Sequence, residues 1–240
     1  MSRTLRIADR IQALAEVILC SSLPTQFLVA VAVAGLGIAP QTADGALSLR
    51  YILTVTLVDT VLLISLMVFF TRQRGDSLAA LWLGTRRIAP EVRHGLMLVP
   101  LVFVVVIVTL STLRVAAPWL HNVEVNPLGS LAKGGAINVG LFGVVVIVAG
   151  GVREELARAF LLQRFERHLG GLTVGIVVLS TAFGLGHLNQ GWDAVIATGI
   201  LGAFWSLIYA RRRSSVAPIV SHAGFNSMEV LRIVLAGGAG

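Results

Sequence analysis

The chain has 240 residues, of which 56% are hydrophobic and only 13% charged, with a mean hydropathy of +0.86 and a formal net charge of +7. Such a composition excludes an ordinary soluble domain, and no long polar block is present to form a second one. The single cysteine excludes an intramolecular disulfide framework and any multi-cysteine metal site.

Apolar runs near the length of one bilayer crossing recur along the whole sequence. They predict spans at about Ala15–Ile38, Tyr51–Phe70, Leu96–Leu113, Ile137–Leu162, Leu172–His187, Ala194–Ala210 and Val216–Ala236. The expected fold is therefore all-α: a polytopic transmembrane helix bundle of about seven spans, forming one integral membrane domain over residues 1–240. Pro24 offers a bend in the first span, and Gly150-Gly151 a place where the fourth can kink or loosen. The segment Ser77 to His94 mixes Leu, Trp and Arg before a proline, which suits either an extra interfacial helix with a turn or a plain connector. The first apolar stretch is long and lacks a small-residue cleavage site after a short core, so it reads as a retained span.

Charge placement tests this segmentation. With the N-terminus inside, Arg3, Arg6, Arg10, Arg72, Arg74, Arg86, Arg87, Arg93, Arg153, Arg158, Arg164, Arg167 and Arg211 to Arg213 fall on or toward the cytoplasmic side, which is 15 of the 19 basic residues. Arg50, Arg114, Lys133 and Arg232 remain on the other side. The expected setting is a bacterial cytoplasmic membrane with a cytoplasmic N-terminus and an external C-terminus. The basic residues flank apolar spans in separate loops, so they suit topology and anionic lipid and give no reason to expect a nucleic-acid partner.

Three clusters late in the chain place ionisable groups in membrane-grade sequence: Glu154-Glu155 with Arg158, Phe183 with His187, and His222 with Asn226. Each charge at a membrane helix centre costs roughly 2.5 to 3.5 kcal/mol on insertion scales, so such residues usually mark function. If the fourth helix ends near Val152, the two carboxylates are solvated beside Arg153. If it runs on, as Leu156 and Ala159 to Leu162 suggest, they sit ~15 Å inside the boundary set by Arg164 and Arg167. A carboxyl placed there has the setting of a general base. On a helix Arg158 reaches either glutamate, leaving one ionised and the other free to exchange protons. His222 and Asn226, four apart, share a helix face and suit polarisation of a carbonyl oxygen or a water. His187, taken alone, suits an interfacial or hydrogen-bonded role better than a catalytic one. Depth arithmetic puts His222 ~14 Å from the inner boundary and His187 ~22 Å, so His187 meets the others only with tilt of the fifth helix or a shifted boundary.

The remaining polar residues of the spans have local readings. Asp59 either joins the site or bonds Thr56 and Thr60, with the second preferred. Glu229 and Arg232 form a local pair, and Asn189, Trp192 and Asp193 occupy a turn where substrate contact is conceivable.

The order and content of the three clusters resemble the CPBP (CAAX-processing and bacteriocin-processing, Abi) family of intramembrane proteases, over roughly Ile137 to Val234. That family carries a double Glu with a downstream Arg, then Phe-x-x-x-His, then His-x-x-x-Asn; AFLLQRFE (Ala159 to Glu166) and APIVSHAGFN (Ala217 to Asn226) are also similar to its usual surroundings. One position departs: the family Arg lies four residues after the second Glu, where this chain has Ala159, and Arg158 stands one residue early. The resemblance implies hydrolysis of a peptide bond in a membrane-associated protein or peptide. Glu154 would be the general base, His187 would help hold the water, Glu155 would position it, and His222 with Asn226 would stabilise the oxyanion. No cofactor is needed in that scheme. A zinc-dependent version, with Glu154, His187 and His222 as ligands, stays open, although His-Glu-x-x-His is absent. A membrane immunity or scaffold protein that binds a peptide without cutting it is the alternative from another class. A proton-relay transporter is third, lacking visible repeated halves. The sequence selects no substrate among prenylated CAAX proteins, leader peptides, bacteriocins and sorting tails, and it is silent on oligomeric state.

Overall fold

The structure, a computed structural model, describes residues 3–124, 131 and 135–237. Regular structure among these residues is helical, apart from an isolated bridge between Gln41 and Leu47. The helices are α1 (Arg3–Leu19), α2 (Leu23–Gly35), α3 (Leu49–Gln73), α4 (Leu78–Trp82), α5 (Ile88–Ala116), α6 (Ala136–Val145), α7 (Glu154–His168), α8 (Leu172–Leu185), α9 (Trp192–Arg212) and α10 (Val216–Gly237). A π-helical stretch, Val146–Arg153, joins α6 to α7. Lys133, assigned above to the outer side, lies outside the described residues.

Local chemistry sets several boundaries. Ser48 and Ser77 cap α3 and α4 by accepting from the Tyr51 and Ala80 amides, each at 3.3 Å. Gly171 and Gly191 precede α8 and α9 with φ of +96° and +108°, a backbone region that disfavours side chains. The first span bends, and it does so just before Pro24: α1 and α2 meet at 41° across Cys20 to Ser22, and the proline sits in the first turn of α2, where its missing N–H costs nothing.

Among the described residues four helical segments are long and apolar enough to cross a membrane: α3, α5, the continuous Ala136–His168 unit and α9; the bent α1–α2 pair makes a fifth. The expected count of seven is approximate because the other two differ in kind. α8 has only 14 residues, and α10 carries His222, Asn226, Glu229 and Arg232 within its 22. The third span starts earlier than expected: α5 begins at Ile88, so the region read as interfacial helix plus turn divides between five-residue α4 and the first turns of α5. Only 11% of the apolar window of α5 is buried, and Val104, Ile107 and Val108 are exposed, as a lipid-facing helix requires.

Packing runs through the centre of the bundle. α7 lies between α1, α3, α8 and α9, with Phe160 and Leu161 meeting Cys20, Leu63 and Met67 in one apolar cluster. α10 packs on α5 and on the π-helical stretch. At the arginine-rich end ion pairs tie the helices together. Glu16 accepts from Arg74 at 2.8 Å and from Arg164, and Glu91 from Arg212 at 2.6 Å. Arg213 leaves α9 with φ +52° while bonding Glu166 through two contacts of 2.6 Å. Three of the arginines expected on or toward the cytoplasmic side, Arg153, Arg158 and Arg164, are buried partners of acids. An uncompensated charge at that depth would be costly, and each has an acid opposite.

Candidate active site

The fourth span does not end at Val152. It loosens into the π-helical stretch and then continues as α7, so Glu154 and Glu155 stand inside a helix, one turn before Arg158. π-helical turns are rare and often occur at functional sites, because they free carbonyls and redirect side chains. Here the Val146 carbonyl accepts a 3.4 Å bond from Asn226 Nδ2 of α10, near the limit for such a bond. The glycine pair lets α10 come this close. A Cβ on Gly151 would lie 2.6 Å from Cβ of Ala223, and one on Gly150 would run into Asn226 Nδ2.

Consecutive helix residues point about 100° apart, so the two glutamates have different surroundings. Glu155 is buried at 1% exposure. Its Oε2 accepts from Arg158 Nε at 3.0 Å and its Oε1 from His222 Nδ1 at 2.9 Å. The side chain of Glu154 is 27% exposed and has looser neighbours: His222 Nε2 at 3.9 Å and Arg153 Nη2 at 3.9 Å. Both separations exceed a direct hydrogen bond.

Aromatic rings hold the basic groups. His222 stacks on Trp205 at 3.7 Å and 14°, and Trp205 Nε1 donates to Ser221 Oγ at 3.0 Å. The Arg158 guanidinium lies over Phe183 at 4.8 Å and donates from Nη1 to the Gly202 carbonyl at 3.2 Å. Arg158, though one residue early relative to the family pattern, thus reaches Glu155. It makes no ion pair with Glu154 among the described residues.

His187 is set one ring away. Its Nδ1 donates to the Phe183 carbonyl at 2.8 Å, and its ring meets Phe183 edge-on at 4.9 Å, while Phe183 lies 6.1 Å from His222. Because a carbonyl only accepts, this bond makes Nδ1 the protonated nitrogen and leaves Nε2 as an acceptor in the neutral ring. No hydrogen bond or ion pair joins His187 to either glutamate among the described residues. Glu154, Glu155, Arg158 and His222 are brought together directly; Asn226 reaches the π-helical stretch through the Val146 carbonyl, and His187 joins through Phe183.

Other readings are corrected or filled in. Asp59 does not bond its threonine neighbours; Thr60 donates to the Thr56 carbonyl at 2.7 Å, whereas Asp59 Oδ2 takes Arg153 Nη1 at 2.7 Å. Asp193 starts α9 and accepts from His121 at 2.7 Å, and Asn122 accepts from the Trp192 amide, so this turn is a structural tie. Glu229 and Arg232 pair as expected, at 2.9 Å. Trp205 was missed as a wall of the site, its only signal being a large aromatic inside the sixth apolar run. No set of three or more His, Cys, Asp or Glu side chains among the described residues is placed to hold a metal ion, Glu154, His187 and His222 included.

Fold and site together define a helical membrane protein with a buried Glu-Arg-His network beside a second, more open carboxylate. Residues 136–228 match the family model described as type II CAAX prenyl endopeptidase Rce1-like, and this stretch contains all three clusters. Over that region, less than half of the chain, the protein is similar to the CPBP-type intramembrane proteases. No curated protein and no solved structure gives a significant match.

The glycine contact yields a direct test of the helix approach. Gly151→Ala should push α10 outward, costing about 1–3 kcal/mol as overpacking does, and should loosen the Glu155–His222 bond. Gly143→Ala, at a position with open space around it, should be tolerated. Thermal unfolding of the two purified variants in detergent compares them.

Proposed function

We propose that this protein is an intramembrane endopeptidase in which Glu154 activates water against a peptide bond of a membrane-associated protein or peptide. The observation that carries the reading is the unequal pair: Glu155 is committed to Arg158 and His222, whereas Glu154, one residue earlier, faces His222 Nε2 at 3.9 Å across a gap that suits a bridging water. Glu154 takes a proton from that water as the oxygen bonds to the carbonyl carbon. It then returns the proton to the leaving amide nitrogen as the C–N bond breaks, giving a carboxylate and an amine. His222 in its doubly protonated form keeps its Nδ1–H bond to Glu155 and offers Nε2–H to the oxyanion. The weak Asn226 bond to Val146 is readily exchanged for a second donor contact there. His187 offers Nε2 as an acceptor to a water proton.

No cofactor takes part in this scheme. The separation of His187 from the carboxylates supports it over zinc chemistry, as does the commitment of Glu155. The immunity or scaffold alternative binds peptide and leaves it intact.

The test is incubation of the purified protein in bicelles with a library of membrane-anchored peptides, prenylated CAAX sequences included, in H₂¹⁸O with and without chelator. Internal cleavage with ¹⁸O in the new carboxylate, unaffected by chelator, is the expected result. Loss on chelation with rescue by zinc would favour the metal version, and binding without cleavage would favour the scaffold.

A further inference from the structure

We propose that Arg153, held by Asp59 of α3, is a positioning residue for Glu154, with Asp59 drawing the guanidinium off the glutamate so that it stays unclamped. The inference rests on the reading of Glu154 as the base.

The guanidinium lies between two acids and is shared unequally. Nη1 bonds Asp59 Oδ2 at 2.7 Å, while Nη2 stands 3.9 Å from Glu154 Oε1. Ser22, in the break between α1 and α2, donates to the same Asp59 oxygen at 3.2 Å. The charged groups around Glu154 are therefore Arg153 on its own helix, Asp59 behind it on α3, His222 on α10, and Glu155 with its partner Arg158. Without the Asp59 charge, nothing in this set would keep Arg153 from closing on Glu154 as a direct, charge-assisted pair of about 2.7–2.9 Å. A carboxylate held in that way is a poor proton acceptor.

The pair is badly arranged as a stabilising element, which is a reason to look for another role. Asp59 is fully buried and Arg153 is 8% exposed, yet Asp59 Oδ1 and Arg153 Nε are left without hydrogen-bond partners. Buried ion pairs with unmet donors and acceptors are commonly no better than apolar packing, and orphaned groups concentrate at functional sites. Asp59 and Ser22 also lie outside residues 136–228, so the first half of the chain completes a site whose other members fall within the family match.

The experiment compares Asp59→Asn, Asp59→Glu and the double variant Asp59→Asn/Arg153→Gln, with rates normalised to folded, monodisperse protein. Asp59→Asn should lower kcat on the order of 10-fold, a fraction of what a general base contributes, with KM unchanged. The double variant should recover most of the loss because no cation remains to close on Glu154, and Asp59→Glu should stay close to wild type. A second readout needs no substrate: the infrared carboxylate band of Glu154, assigned by its disappearance in Glu154→Gln, should move in Asp59→Asn and return in the double variant. An unmoved band, or a double variant as impaired as Asp59→Asn, overturns the proposal. If Glu154→Gln still cleaves, the reading of Glu154 as base fails, and the band alone then decides whether Asp59 governs the contact.

Discussion

Glu155→Ala should lower the stability of the protein by about 3–5 kcal/mol, the usual cost of breaking a buried ion pair, and should abolish cleavage. The large effect follows from what the substitution leaves behind. Arg158, with a side chain 4% exposed, would keep its charge inside the bundle with the Gly202 carbonyl and the Phe183 and Trp205 faces to meet it but no acid. His222 would lose the acceptor that fixes its Nδ1–H and hence the orientation of Nε2. Thermal unfolding in detergent checks the first half of this result and peptide cleavage the second. A variant as stable as wild type would show that the Glu155 network does not hold the bundle.

Glu154→Gln, one residue away, should lose activity without losing stability. The side chain is 27% exposed and its charged neighbours stand 3.9 Å off, so stability should change by no more than about 0.5 kcal/mol, as for substitutions outside tight networks. Cleavage should fall by about 10²–10⁴, the contribution of a positioned general base. Glutamine preserves shape and some hydrogen bonding but accepts no proton from water. Two adjacent glutamates that both lose cleavage, one with the fold destabilised and the other with it intact, would separate the structural acid from the chemical one, a distinction that neither variant makes alone.

Much of this arrangement was legible in the sequence, for identifiable reasons. Charged side chains at membrane depth are expensive enough that Glu154, Glu155, His222 and Asn226 stand out without structural help, and helical spacing alone links Arg158 to the glutamates and His222 to Asn226. The continuation of α7 through the acidic pair was readable from its apolar residues and from the late basic stop at Arg164. Partner choice across helices was not readable. Asp59 in a span demands a cation, yet nothing in the chain says that the cation is Arg153, 94 positions on, and Thr56 and Thr60 were the partners suggested by proximity in sequence. Glu16 escaped notice for the same reason: its partners are Arg74, at the C-cap of α3, and Arg164 of α7. The span count was approximate because hydropathy rewards length and uniformity. α8 is too short, and α10 is diluted by the polar residues that give it a role in the site.

The most direct test of the central claim is the cleavage rate of one membrane-anchored peptide by wild type and by Glu154→Gln, at matched folded concentration and with chelator present in both. Cleavage by wild type that falls by at least about 100-fold in the variant, with unchanged thermal stability, is the predicted result. Equal rates in the two proteins would contradict the account, because water activation would then have to come from a group other than Glu154.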